Sequence, residues 1–145
     1  MLANYEGVHE DWEGNCFCRI TLKWDYIQCT CKRSIPGYIE AILNRFYQPH
    51  PIKPELAPHR YASRSFSATN VQDPVPDDNT AHLNTSGVLR VQRVVGCIRY
   101  YARETNSPLL PTLTEIGTDQ AKATKENLSA TKKNLDSVAT LPDAE

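Results

Sequence analysis

The residues of this chain that could do chemistry are its cysteines, its histidines and one arginine-rich stretch. Cys16 and Cys18, with Cys29 and Cys31, form two Cys-x-Cys pairs. Four thiolates from two neighbouring strands could surround a zinc ion tetrahedrally. The one-residue gap weighs against this, because zinc ribbons generally place two residues between ligands so that both sulfurs turn toward one ion. Free cysteine is also among the most often buried residue types, so small apolar side chains alternating into a core are the expectation for these four, and Cys97 is expected to be buried as well. His9, His50, His59 and His82 are scattered, with no His-x-x-x-His or His-Glu-x-x-His spacing. No nucleophile elbow, glycine-rich phosphate loop or Walker lysine is present, and Asp77-Asp78 sits in a polar stretch after Pro76, where turn chemistry is expected. No self-contained catalytic constellation emerges.

The arginines are more informative. Arg90, Arg93, Arg99 and Arg103 fall in one segment without an acid, although the whole chain carries 16 Lys+Arg against 17 Asp+Glu, a net charge of −1. Acids concentrate elsewhere, at Glu6, Glu10, Asp11 and Glu13 and at Asp73, Asp77 and Asp78. A locally basic helix in a neutral protein can still meet phosphate. Gln92, Arg93, Arg99 and Arg103 could contact a nucleic-acid backbone, and Gly96 on the same arc would allow close approach to a groove. A solvated outer helix face accounts for the same arginines. Trp24 and Tyr26 could lie against a nucleic-acid strand or close over a core. From the residues alone the solvated face and the closing of a core are the expected readings.

These side chains must be positioned by an α+β arrangement. Residues 15–23 alternate Cys16, Cys18, Ile20 and Leu22, the pattern of a half-buried strand, and a second extended run covers 27–32, making a β-hairpin with aromatics at its tip. Ser34 and Pro36 signal a helix start, and Ile39, Ile42, Leu43 and Phe46 recur at helical spacing, which predicts a helix over 36–47. Six of the ten prolines lie between Gln48 and Asp77, so 49–86 reads as a long connection that drapes over something or separates two halves. From Ser86 the pattern is helical, with Val88, Val91, Val94, Val95, Ile98, Tyr101 and Ala102 on one arc. A second helix follows Ser107-Pro108 with Leu110, Leu113 and Ile116 inward. A last one covers 121–139, where Thr124 and Thr131 interrupt the stripe of Leu128, Leu135 and Val138 and make it a poor core helix. The expected organisation is thus 1–48, 49–86 and 87–145, with the last part the more independent. No run of about 18 apolar residues and no signal-peptide pattern occurs, and five unevenly placed cysteines suit reduced intracellular thiols; neither a membrane partner nor secretion is expected.

In this order the segments resemble part of the reverse transcriptase of a copia-like long-terminal-repeat retrotransposon polyprotein. Those enzymes carry a phrase of the kind Asp-Trp-x-Gly-x-x-Tyr-Cys-Gly-Ile-x-Leu-x-Trp-Asp-Tyr followed by Met-Pro-Gly-Tyr-Val. This chain has Asp11-Trp12-Glu13-Gly14, then Phe17-Cys18-Arg19-Ile20-Thr21-Leu22-Lys23-Trp24-Asp25-Tyr26, then Ile35-Pro36-Gly37-Tyr38-Ile39. Val91-Gln92-Arg93-Val94-Val95-Gly96-Cys97-Ile98-Arg99-Tyr100-Tyr101-Ala102-Arg103 is similar to the phrase that opens their thumb, in which a glycine precedes a Tyr-Tyr or Leu-Tyr pair. Arg19 departs from the phrase, which has glycine there.

The resemblance implies an RNA-directed DNA polymerase in which 1–48 ends the palm and 87–145 supplies thumb and the approach to the connection. It implies that Trp24, Tyr26, Gln92, Arg93, Gly96, Arg99 and Arg103 face an RNA/DNA template-primer, and that the remainder of the polyprotein is a partner. The paired catalytic carboxylates, and the divalent metal, magnesium, that they hold in the complete enzyme, belong to a preceding segment; no catalytic residue and no cofactor is expected in this chain. Two other functions compete with this one: a small structural zinc module through the four cysteines, and a domesticated adaptor that binds a protein partner.

Overall fold

The computed structural model describes residues 11–59 and 78–142. It is an α+β fold of a three-stranded antiparallel sheet and four helices. β1 (Cys16–Phe17), β2 (Ile20–Asp25) and β3 (Thr30–Ser34) pair in the order β1-β2-β3. They are followed by α1 (Tyr38–Phe46), α2 (Thr85–Glu104), α3 (Leu110–Thr118) and α4 (Lys125–Thr140), with short 3-10 turns at Ser107–Leu109 and Gln120–Lys122. Asp77, His9 and 60–77 of the proline-rich connection lie outside the described residues.

The expected single strand over 15–23 is instead two strands. Phe17 pairs with Ile20, and Cys18 and Arg19 between them have φ of 51° and 67°. A two-residue hairpin loop with both central residues at positive φ matches the right-handed twist of its strands. A side chain there is strained, since the left-handed region costs a non-glycine residue roughly 1–2 kcal/mol. Arg19→Gly is therefore expected to raise stability by about 1 kcal/mol, read as a higher denaturant midpoint at unchanged slope; an unchanged or lower midpoint would show that the arginine makes contacts worth more than the strain.

The second run is also displaced. Residues Tyr26 to Cys29 form the turn rather than a strand, and Asp25 Oδ1 accepts hydrogen bonds from the Ile27 and Gln28 backbone N–H groups at 3.0 and 2.9 Å. That side-chain turn takes the place of an Asn-Gly signal. α1 starts at Tyr38 after Gly37 at φ 72°, two residues later than Pro36 suggested.

α2 is the central helix. Val91, Val94, Val95, Ile98, Tyr101 and Ala102 are all buried, as the arc demanded, and they meet Ile39, Ile42, Leu43 and Phe46 of α1, Leu113 and Ile116 of α3, and Leu135 and Val138 of α4 in one core cluster that also takes in Ile20 and Ile35. Asn84 caps α2 by accepting from the Gly87 N–H at 2.9 Å. A Cβ on Gly87 would lie 3.0 Å from that of Leu83, so packing favours glycine there and any side chain would have to push Leu83 aside.

α4 is a better core helix than its stripe suggested. It buries Thr131, Asn134 and Ser137 beside Leu135, Val138 and Ala139. Thr131 hides its hydroxyl by donating to the Asn127 carbonyl at 2.7 Å. Gln48 Nε2 donates to Asp136 Oδ1 at 2.8 Å and the Glu55 N–H to Thr140 Oγ1 at 3.0 Å, so the chain leaving α1 drapes along α4.

The start of α4 is held by a reciprocal cap, in which the Asn127 N–H donates to Thr124 Oγ1 and the Thr124 N–H to Asn127 Oδ1. Asp78 accepts from the Thr124 hydroxyl and, at 2.8 Å, from the Thr80 N–H. These bonds, Thr124 first, lower the Asp78 pKa from 3.8 to about 2. A carboxyl depressed in the folded state contributes stability that is complete above its unfolded pKa and is lost as pH falls through the folded one. Thermal midpoints should therefore fall more steeply from pH 3.8 to about 2 in the wild type than in Asp78→Asn; parallel pH profiles would contradict this.

Candidate nucleic-acid interface

The segment 85–104 folds as one helix because its apolar residues complete a 3.6-residue stripe, and burying that stripe turns its arginines outward. Arg93, Gly96, Arg99 and Arg103 are exposed on the opposite arc. None of these three arginines has an ion-pair partner among the described residues. Gly96 lies in open space, with no atom within 4 Å of where a Cβ would be. Unlike Gly87, it is not favoured by packing within the chain, and a mid-helix glycine costs about 1 kcal/mol relative to alanine. What it provides is a bare stretch of helix backbone between arginines.

Two other arginines, Arg90 of α2 and Arg45 of α1, are structural. Arg90 donates to the Phe46 carbonyl at 2.9 Å, closing the end of α1, and Arg45 approaches Cys97 Sγ at 3.8 Å while covering the Phe46 ring at 5.7 Å. Gln92 is half-buried, so it stands at the edge of the basic arc rather than on it.

The sheet brings a further cation to this face. Tyr100 donates its hydroxyl to the Cys18 carbonyl at 3.0 Å, which fixes the Cys18-Arg19 turn against α2 one residue from Arg99. Tyr38 buttresses the junction. Its ring lies 5.5 Å from Tyr100 and 6.2 Å from Tyr101, and its hydroxyl donates to the Cys97 carbonyl at 3.0 Å. Burial pushes the Tyr38 phenol pKa up, with Cys97 and Tyr100 adding to the shift, so the phenol remains a donor. Arg19 therefore joins the basic surface from a turn. Read as a strand residue it is invisible; the glycine that the resembled phrase carries there was the signal, since glycine marks positive φ.

Trp24 and Tyr26 are placed apart from this face. β2 runs from the buried Ile20 to Asp25 at the tip, about 17 Å by strand rise. Ile20, Leu22 and Trp24 share one face of the sheet, buried, half-buried and exposed in turn, so the hairpin leans away from the helices. At its tip the Trp24 and Tyr26 rings stack at 6.4 Å with 17° between planes, and they are 47% and 82% exposed. The Trp24 indole N–H donates to the Gly14 carbonyl at 2.9 Å, which orients the ring. Lys23 and Lys32, not singled out in the sequence, pair directly across the solvent face.

The cysteines are not core residues. Cys16, Cys18, Cys29 and Cys31 are all exposed and Cys97 is half-buried. The sheet is covered by helices only near Ile20, so strand position decides their exposure over residue type. Cys18 and Cys29 occupy turns at opposite ends of β2, whereas zinc draws its sulfurs to about 2.3 Å from one point. Among the described residues no three His, Cys, Asp or Glu side chains gather to hold a metal ion. His82 faces the Lys122 carbonyl at 3.0 Å and His59 lies 3.6 Å from Glu115, both at the surface. No helix among the described residues is long and apolar enough to cross a membrane.

No family model matches the chain, and neither does any curated protein or solved structure.

Proposed function

We propose that this chain is the palm-end and thumb portion of a retrotransposon RNA-directed DNA polymerase, and that its part is to hold the template-primer. The observation that carries this reading is the outward arc of α2, where Arg93, Arg99 and Arg103 stand exposed around an uncovered Gly96, the helix's one acid, Glu104, is paired with Arg33 at 4.0 Å, and an exposed Arg19 is carried on the turn fastened to Tyr100. Arginines at that spacing suit phosphate oxygens, and bare helix backbone suits close approach to a duplex. Such contacts fix register and orientation without reading bases, so binding is independent of sequence. The exposed Trp24-Tyr26 pair offers a base a stacking surface at a separate point.

Two further features support the polymerase resemblance. The position where the resembled phrase has glycine is the one where Arg19 takes φ 67°. The Tyr-Tyr pair after Gly96 serves two duties, Tyr100 fastening the hairpin and Tyr101 entering the core. In this reading the chain works inside the cell beside the rest of the polyprotein, no residue of it carries out phosphoryl transfer, and the metal-holding carboxylates are supplied by another segment. Fluorescence anisotropy with a labelled RNA–DNA hybrid tests the proposal. Binding that ignores sequence and weakens linearly with the logarithm of salt concentration is expected. Binding that is absent, or insensitive to salt, would overturn it.

A further inference from the structure

A groove of about 680 Å³ runs between α2 and α4 on a different side of α2 from the exposed arginine face. Its floor is apolar, with Val94 of α2 and Leu128 and Leu135 of α4, and its rim carries Arg90, Lys125 and Lys132. Among the described residues no carboxylate lines it. Gln48, which also lines it, donates from Nε2 to Asp136 Oδ1 at 2.8 Å. Lys125 and Lys132 are exposed and have no ion-pair partner among the described residues.

The arrangement has a cause in the sequence of α4. Lys125, Leu128, Lys132 and Leu135 recur at i, i+3, i+7 and i+10, so one helix face alternates cations with leucines. The leucines reach toward Val94, and the lysines, two turns apart, stand over the opening. An apolar trough with an all-cationic rim complements a molecule that is apolar along its length and anionic at one end. The volume is that of a small-molecule site. From Lys125 to Leu135 the helix rises about 15 Å, the extended length of a chain of about twelve carbons.

We propose that this groove binds a straight-chain carboxylate of medium length, with the alkyl chain along Val94, Leu128 and Leu135 and the carboxylate at a rim lysine. A nucleic-acid strand fits the rim but not the floor, because sugar and phosphate would be desolvated against leucine without hydrogen-bond partners. This inference does not depend on the polymerase reading, which concerns the outward arc of α2.

The test uses the full chain with dodecanoate below its micelle-forming concentration, followed by calorimetry and by backbone amide shifts. Shifts are expected at Leu128, Lys132 and Leu135, with binding about tenfold or more tighter than that of dodecyltrimethylammonium, which has the same chain and the opposite charge. Butanoate, with the charge but little chain, should bind weaker by a similar or larger factor. The double variant Lys125→Gln/Lys132→Gln, at two exposed positions, should lose about tenfold for dodecanoate while its circular dichroism stays unchanged. Equal affinity for the two amphiphiles, or shifts confined to other surfaces, would overturn the proposal. So would an oligothymidylate moving the same amides, since the groove would then belong to a nucleic-acid surface.

Discussion

Replacing Arg93, Arg99 and Arg103 together by glutamine is expected to remove about 2.7 from the slope of log K against log salt for an RNA–DNA hybrid, since each neutralised phosphate contributes about 0.9. Between about 50 and 200 mM salt, three such contacts account for roughly a 40-fold loss of affinity, so the advantage of the wild type over the variant should shrink by that factor across the range. The three side chains are exposed and unpaired among the described residues, so the substitutions leave the core untouched and helix content should not change. Adding Arg19→Gln should lower the slope by about 0.9 more, because the Tyr100 hydrogen bond fastens the turn that carries this exposed cation to α2. Replacing the three by lysine keeps the charge and should largely keep the slope while losing the forked contact geometry. A glutamine variant whose slope equals that of the wild type would sink the interface. Loss of affinity with an unchanged slope would point to disturbed folding instead.

The elements that were legible in the sequence are those where one strong periodicity acts alone. The apolar residues of α2 recur so regularly that the buried set from Val91 to Ala102 could be named residue by residue, with Val88 and Gln92, both half-buried, falling between the inward and outward sets. The hairpin was misread because its alternation continues unbroken through a turn. Cys16, Cys18, Ile20 and Leu22 keep period two although the chain reverses at Cys18-Arg19, and neither residue is of a type that announces positive φ. The cysteines were misplaced for a related reason: residue type favours burial, but helices cover this small sheet at one end only. In α4 the hydropathy was misleading in the opposite sense. Thr131 bonds back to the Asn127 carbonyl and then packs as an apolar side chain, so a polar letter occupies a core position. Lys125 and Lys132 of the same helix stand at the rim of a groove whose floor includes Leu128 and Leu135 of that stripe. That the Cys18-Arg19 turn is fastened to α2 depends on a contact between residues 18 and 100, and such a pairing leaves no trace in local pattern.

The same long-range packing sets the second large effect. Ile98 is fully buried on α2, in the cluster that takes in Ile20 and Ile35 of the sheet region, Ile39 and Phe46 of α1 and Leu113 of α3. Ile98→Ala removes three methyl or methylene carbons from a site enclosed on all sides, at a cost of about 2–5 kcal/mol. That is a large share of the 5–15 kcal/mol a domain typically has, and a protein at the low end would be substantially unfolded. The chain offers a direct check on how far the loss spreads. Both of its tryptophans, Trp12 and Trp24, lie in the sheet region, whereas helical circular dichroism comes from the four helices. If the cluster binds sheet and helices into one cooperative unit, fluorescence and dichroism midpoints in urea coincide in the wild type and move down together in Ile98→Ala. If 87–145 folds by itself and the hairpin is only loosely attached, the two midpoints separate and the fluorescence transition barely responds. Coincidence is the expected result, because the hairpin's one fully inward residue, Ile20, and the Tyr38-Tyr100-Tyr101 junction leave the sheet nothing to pack on except α1 and α2. A sheet of one hairpin and a two-residue third strand is marginal in water without that support, so a sheet that outlived the helices would contradict the shared core.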